Sequence, residues 1–315
     1  MKRFRFALSI ACVLWAQFAP AHVPVAAASL LAGHATQRGS SSTQESIFDA
    51  LAEAIPLGKE TVRSIAKPIL DNVVITPDEE MEIGDKMYGE VRKRFGTRLD
   101  SNRRDVEYVN AVGRSLAANV QRRAIRYRFH VVEEAIPNAF AIPGGHIFIY
   151  RGLLDKVIQN EAQLAEVVAH EIAHVDAGHT IDFFKPIKAA AQFPLADVTV
   201  MLSALAAQLL KFTYGEVHEM EADRLGTVLA FRANYEVAEG AKVHRRLAAL
   251  KKDGTTDPVT GMADALMRTH PPSEKRAVAI EAQAQSLRQQ NPNWRTYIGL
   301  VNYQRRIPIS VRAFD

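Results

Sequence analysis

The sequence predicts an α+β domain, mostly helical, with a small β-sheet set into it. Three observations carry that expectation. Apolar residues recur at helical spacing over 76–120 and again from Asn160 onward. Over 127–150 the period shortens to that of strands, with a Pro143-Gly144-Gly145 break inside it. Hydrophobic residues make up 48% and charged residues 23%, an ordinary globular balance with ample material for a core.

The 315 residues accommodate one large domain with extra helices. Lys2, Arg3 and Arg5 precede an apolar run from Phe6 to Phe18, and small residues follow at Ala19-Pro20-Ala21, with a second option at Ala26-Ala27-Ala28. That is the layout of a cleavable secretory signal, read as residues 1–21. An uncleaved, membrane-anchoring leader is the alternative, although the run falls short of the roughly 20 apolar residues a span requires. Cys12, the only cysteine, lies inside this leader. The mature chain is therefore expected to have no disulfide and no thiol nucleophile. Ser9-Ile10-Ala11-Cys12 is a faint lipoprotein box, which makes lipid anchoring a minor alternative. The formal charge is +4; removing the leader through Ala21 takes away three basic residues and no acid, leaving 36 against 35. A nearly neutral chain without a basic stripe argues against nucleic-acid binding.

Residues 22–46 read as a flexible linker, polar and rich in Ser and Gly over 36–46. Residues 47–75 read as an N-terminal helical segment broken by Pro56 and Pro68. The main domain is placed at 76–290 and a C-terminal tail at 291–315. Thr76, Pro77 and Glu79 form a helix start with a capping box, and the helix should run to about Phe95. A second helix is expected over Val106 to Val120, then strands over Tyr127 to Glu133, Asn138 to Ile142 and His146 to Tyr150. The Pro-Gly-Gly break makes a tight hairpin of the last two. Asn160 caps the next helix, whose stripe is Leu164, Val167, Val168, Ile172 and Val175, ending near Gly178. Residues 196–210 are strongly apolar but too few for a membrane span; they read as a buried helix, with a membrane-leaning or substrate-covering element as the alternative. Further helices are expected near 215–232, 235–252, 259–268 and 272–288, with an irregular or partly extended tail from Asn291.

The chemistry lies in His170-Glu171-Ile172-Ala173-His174. Residues four apart share a helical face, so two imidazoles converge on one point where zinc takes nitrogen ligands. Glu171 beside them can take a proton from water at the open position. The motif sits in an apolar stripe, and buried histidines need a partner. The metzincin arrangement is excluded, since Ala177 and Thr180 stand where it requires Gly and His. Glu219 is the better candidate for a third ligand, with Asp223 one turn on as a carboxylate that orients a ligand histidine. His179 is one residue off register for a third ligand and is expected to be structural, with a place near the site as the alternative; His218 is expected to be structural, and Glu216 and Glu221 are expected to be solvated.

Five blocks carry a family resemblance: EMEIG at 80–84, NAFAIPGGHIFIYRGLL at 138–154, HEIAHVDAGH at 170–179, EMEADRLG at 219–226 and THPPSEKR at 269–276. In that order, over roughly 76–280, the chain resembles the BepA/LoiP-like and Oma-type zinc metalloendopeptidases, relatives of HtpX and the CAAX prenyl proteases. The resemblance implies a zincin-like domain of the gluzincin type, with an edge strand flanking the active-site helix. It implies one zinc ion per chain on His170, His174 and Glu219, with Asp223 behind them. His270 and Arg276 match residues near the open position, where they would act on the oxyanion. Asn138, Ala139, Phe140 and Ala141 match the strand on which an extended substrate would pair. Relatives usually carry Arg where Gly178 stands, which puts a local ion pair in doubt but not the zinc site. The implied activity is hydrolysis of internal peptide bonds in unfolded or misfolded envelope proteins by an exported protein of the bacterial periplasm or cell envelope, with peripheral membrane association as a further option. The alternatives are a non-catalytic or self-inhibited client-binding module that retains the zinc site, and a protease anchored by its leader.

Overall fold

The computed structural model describes residues 72–182, 184, 185, 188, 214–252, 270 and 273–307. The leader, the linker, the N-terminal segment, the apolar stretch 196–210 and the helix expected at 259–268 lie outside the described residues. The chain divides into two compact units, Met1–Ile75 with Asp182–Leu209 and Thr76–Ile181 with Leu210–Asp315. The second unit contains the sheet, the long helices and the candidate site.

Helix α1 (Pro77–Phe95) starts at the expected capping box: the Thr76 side chain accepts from Glu79 N, and the Glu79 carboxylate accepts from Thr76 N at 2.8 Å. Acids fill its first turn and Arg92, Lys93 and Arg94 its last, matching the helix dipole at both ends. Its buried face presses on the Pro143–Gly145 turn so closely that a Cβ on Gly84 would stand 2.1 Å from the Pro143 carbonyl oxygen. Glu80, fully buried, pairs there with Arg122. Helix α2 (Arg103–Ala117) begins three residues before the expected Val106, because Asn102 accepts from Asp105 N and caps it there. Its Val109, Val112 and Leu116 are wholly buried.

The sheet has three strands, β1 (Arg128–Val132), β2 (Ala139–Ile142) and β3 (His146–Tyr150), in the order β1-β3-β2. β1 and β3 are parallel, with Arg128 opposite His146. β2 returns antiparallel on β3, with Ala139 opposite Ile149, through a turn in which Gly144 and Gly145 take φ 75° and 86°. Those angles favour glycine, so the Pro-Gly-Gly break is a conformational requirement of the hairpin. Among the described residues, β2 ends the sheet on one side.

Helix α3 (Arg151–Lys156) follows β3 directly and leads to α4 (Glu161–Asp176), capped by Asn160 through Gln163 N. Leu164, Val168, Ile172 and Val175 have no exposure, each side chain contributing about 1.5–3 kcal/mol by burial. α4 packs against β2, α2, α6 (Glu216–Arg232) and α7 (Glu239–Lys252), and is the axis of the core. A four-residue turn, α5 (His179–Asp182), follows it. α7 starts later than the expected 235, because Tyr235 leaves the helix to bridge Tyr297. Both hydroxyls, with that of Tyr108, donate to the fully buried Glu161 at the head of α4. α8 (Glu274–Gln290) is capped by Ser273. The tail expected to be irregular carries a short helix, α9 (Leu300–Arg305), whose Tyr303 is buried in the core. Among the described residues no helix is long and apolar enough to cross a membrane.

Candidate metal centre

His170 and His174 stand one turn apart on α4, their rings nearly perpendicular (82°) and their Nε2 atoms 3.1 Å apart. Glycine brings α6 against this turn: a Cβ on Gly226 would stand 2.9 Å from the His170 amide nitrogen. Two helical turns before Gly226, the Glu219 carboxylate reaches both rings, with Oε1 3.3 Å from His174 Nε2 and Oε2 3.5 Å from His170 Nε2. His270, four residues before α8, adds Nδ1 at 3.2 Å from His170 Nε2 and 2.9 Å from Glu219 Oε1. Each of the four residues offers one ligand atom within 4.8 Å of all the others.

These separations test the fit to an ion. Nitrogen and oxygen ligands about 2.0–2.2 Å from a tetrahedral zinc stand about 3.3 Å from one another. The separations given above run from 2.9 to 3.5 Å, and all four ligand atoms lie within 4.8 Å of one another. Glu171 lies on the same side, Oε1 3.4 Å from His270 Nε2, and its Oε2 is buried with no hydrogen-bond partner. The donor set, two imidazoles and a carboxylate with a third imidazole at the remaining corner, fits a divalent ion of the zinc type.

A buried layer stands behind the donors. Asp223 Oδ1 is 2.9 Å from His170 Nδ1. Arg276 donates to both Asp223 oxygens from Nε and Nη2 at 2.6 and 2.7 Å, and its Nη1 lies 2.6 Å from Glu219 Oε2. His244 Nε2 approaches Asp223 Oδ1 to 3.7 Å. Burial alone would raise the Asp223 carboxyl, but Arg276 and His170 reverse that and hold it well below the usual carboxylate range. Glu219 is likewise held low against its burial, by His270 and Arg276. Burial opposes a charge on His170, yet its bonds to Asp223 and Glu219 outweigh this and raise it to about 10. The anionic pair thus calls for positive charge at the point where an ion would sit. Burial pushes His174 well below its ordinary value. One turn before His170, burial and the charge of Asp223 raise the Glu166 carboxyl well above its ordinary value.

The structure thus brings His170, Glu171, His174, Glu219, Asp223, His270 and Arg276 into one buried group. Arg276, expected near the open position, instead grips Glu219 and Asp223 from behind and is 3% exposed. Asn138, Ala139, Phe140 and Ala141 lie along the sheet's β2 edge, all four side chains are buried, and β2 packs on α4. His179, expected to be structural, stands 3.0 Å from His174 Nδ1 by its own Nδ1, and Glu221, expected to be solvated, meets its Nε2 at 3.3 Å. Tyr214 stacks on His174 at 3.9 Å. No spacing rule points to Tyr214 or His244; Gly178 just before His179 is the one available signal for the other pair.

Comparison with known proteins agrees with this geometry. The family model for peptidase family M48 matches residues 103–284, more than half of the chain and the whole α4–α6 pair. The chain belongs to peptidase family M48. Among its M48 relatives, the mitochondrial metalloendopeptidase OMA1 of Schizosaccharomyces pombe is 30% identical over 214 residues, 66% of this chain and 61% of the relative. The beta-barrel assembly-enhancing protease of Escherichia coli is 24% identical over 258 residues, 72% of this chain and 51% of the relative. That of Yersinia pestis is 28% identical over 177 residues, 50% of this chain and 35% of the relative. The M48 chain described here thus spans about half the length of the curated relatives it matches.

Proposed function

We propose that this chain is a zinc-dependent endopeptidase, with one zinc held by His170, His174 and Glu219 and with Glu171 as the general base. The observation that carries this reading is the approach of the His170, His174 and Glu219 donor atoms to 3.1–3.5 Å of one another, with the unpartnered Glu171 Oε2 beside them. Bound there, zinc polarises a scissile carbonyl and lowers the pKa of water. Glu171 Oε2 takes the proton of the attacking water and returns it to the leaving amine. Arg276 and Asp223 hold Glu219 and His170 in place. The β2 edge aligns an extended polypeptide through main-chain hydrogen bonds, so Asn138, Ala139, Phe140 and Ala141 supply backbone more than side chains. We place the substrates among unfolded or misfolded proteins of the cell envelope. That rests on the secretory layout of residues 1–21 and on relatives named for beta-barrel assembly.

Casein cleavage tests the core of this reading. Wild type should cleave casein and lose that activity to a zinc chelator. Glu171→Gln should fall about 10²–10⁴-fold with its zinc content unchanged. Equal cleavage by the two proteins would sink the reading.

A second reading draws on His270. Its Nδ1 lies 3.2 Å from His170 Nε2, at the corner where water would stand, and on this reading the site is self-inhibited while His270 holds that corner. Under that reading His270→Ala raises casein cleavage; if His270 serves the oxyanion instead, cleavage falls.

A further inference from the structure

The two ligand histidines are backed differently. His170 Nδ1 meets a carboxylate directly, at Asp223. His174 Nδ1 meets another imidazole, His179 Nδ1, at 3.0 Å, and that ring meets a carboxylate with its far nitrogen, Nε2 to Glu221 Oε2 at 3.3 Å. Resting on the metal-site reading above, we propose that His179 is a positioning residue for His174: with Glu221 it forms a hydrogen-bonded chain that fixes the His174 tautomer and aims its Nε2 lone pair at the metal.

Proton bookkeeping gives the chain one direction. His174 Nε2 faces His170 Nε2 and Glu219, so it must present a lone pair to an ion. The His174 proton then sits on Nδ1 and is donated to His179 Nδ1. With its Nδ1 accepting, neutral His179 carries its proton on Nε2, where Glu221 accepts it. Every proton has one acceptor, and no ring needs to be charged. A carboxylate at the far end of such a chain raises ligand basicity as a directly bonded carboxylate does, attenuated by the intervening ring.

Backbone geometry builds the contact. On a continued helix, position 179 would be rotated away from His174, since five residues do not return to the same face. α4 stops at Asp176, and Gly178 takes φ 83°, a conformation glycine adopts without strain. That turn swings His179 back beside His174. The rings are clamped on their faces too. Tyr214 stacks on His174 at 3.9 Å and 20°, and the His218 ring lies 4.4 Å from that of His179. His174 has no exposure and His179 is 4% exposed, so water does not compete for Nδ1.

Two amides separate positioning from simple packing. Asn in place of His179 puts its oxygen where Nδ1 stands; Gln puts its amide near the Nε2 position and leaves His174 Nδ1 without an acceptor. The full chain and its His179→Asn, His179→Gln, His179→Leu and Glu219→Ala variants are stripped of metal. Zinc affinity is then read by competition with a chromophoric chelator, and ligand geometry by the visible spectrum of the cobalt-loaded forms. We expect His179→Gln and His179→Leu to bind zinc about 10–100-fold more weakly with an altered cobalt spectrum. His179→Asn should recover most of the affinity and the wild-type spectrum. The relay is overturned if Asn does no better than Gln, or if all three bind as wild type does. Should His179→Leu fail to fold, the Asn and Gln pair still decides. A wild type that takes up no zinc, or a Glu219→Ala variant that binds it unchanged, overturns the metal-site reading and the relay with it.

Discussion

Among the described residues, paired imidazoles meet on a helix and on the sheet, and the helical pair forms a cage. On α4, His170 and His174 turn both Nε2 atoms toward one point and both Nδ1 atoms outward, to Asp223 and His179. On the sheet, His130 of β1 and His146 of β3 lie nearly parallel under Tyr88, and their nitrogens form a line. Asp100 Oδ2 meets His130 Nδ1 at 2.8 Å, and His130 Nε2 meets His146 Nδ1 at 3.1 Å. His146 Nε2 meets Arg128 Nη1 at 2.9 Å and Asp85 Oδ1 at 3.2 Å. In the line, each lone pair is used by the next group's proton. In the cage, the lone pairs are left facing a common corner. Each place sets two imidazoles among carboxylates; what differs is which nitrogen the surrounding groups occupy, and that the cage adds His270 at the common corner. A strand pair stacks its rings side by side, whereas successive turns of a helix can set them edge to face.

Metal content is the strongest way to break this comparison. Wild type should hold one zinc per chain and Glu219→Ala none, measured by elemental analysis after gel filtration. Zinc remaining in Glu219→Ala would overturn Glu219 as a ligand, and only zinc that is then lost with His146→Gln would mean that a line of nitrogens does not exclude an ion.

Much of the helical cage was readable in the sequence because its parts lie at fixed helical offsets. His170, Glu171 and His174 share one turn, and Glu219 and Asp223 share another, so periodicity alone joins each set. Glu219 was already the candidate third ligand from its own motif; the family likeness assigned it that role and added His270 and Arg276, since no local rule links position 174 to 270. The position of Arg276 was legible and its direction was not: which atoms a long side chain grips depends on tertiary placement, here on two buried carboxylates that leave no unpaired charge. His179 could be placed beside the site or away from it, because register past Asp176 depends on the turn at Gly178. The sheet pair was invisible, because His130 and His146 are neighbours only through the parallel β1–β3 pairing. In the same way the start of α2 was placed at its first apolar residue when its cap, Asn102, decides it.

The sheet pair should show itself through pH. Burial lowers His146 from its ordinary value to about 4. Between about pH 6.5 and 4, the unfolded chain takes up a proton there that the folded chain does not. Stability is therefore complete above the unfolded value and falls as pH drops through this window, by about 3 kcal/mol from this one group. Urea unfolding of the chelator-treated chain at pH 7, 5.5 and 4.5 should show a shallower fall for His146→Gln than for wild type. Parallel curves would mean that His146 already carries a proton in the folded state, and that the line is held by charge.

In the cage, the matching change is Asp223→Asn. The amide keeps an acceptor for His170 but loses the charge, and chelator competition should show about 10–100-fold weaker zinc binding, with Arg276 still held by Glu219. An unchanged affinity would mean that the tautomer of His170 is fixed without Asp223.

Asp85→Asn is the smallest change and the sharpest for the line. Asp85 stands at its exposed end, 59% exposed, bonded to Arg128 at 2.7 Å, and such pairs are worth about 0–1 kcal/mol. If the line is a self-satisfied chain, His146 Nε2 still accepts from Arg128 once Asp85 is neutral. Unfolding at pH 7 should then move by less than about 1 kcal/mol with no change in zinc content. A loss several times larger would show that His146 donates to Asp85 instead, which requires the opposite proton order along both rings and leaves His130 Nδ1 facing Asp100 without a proton between them, unless His130 is charged.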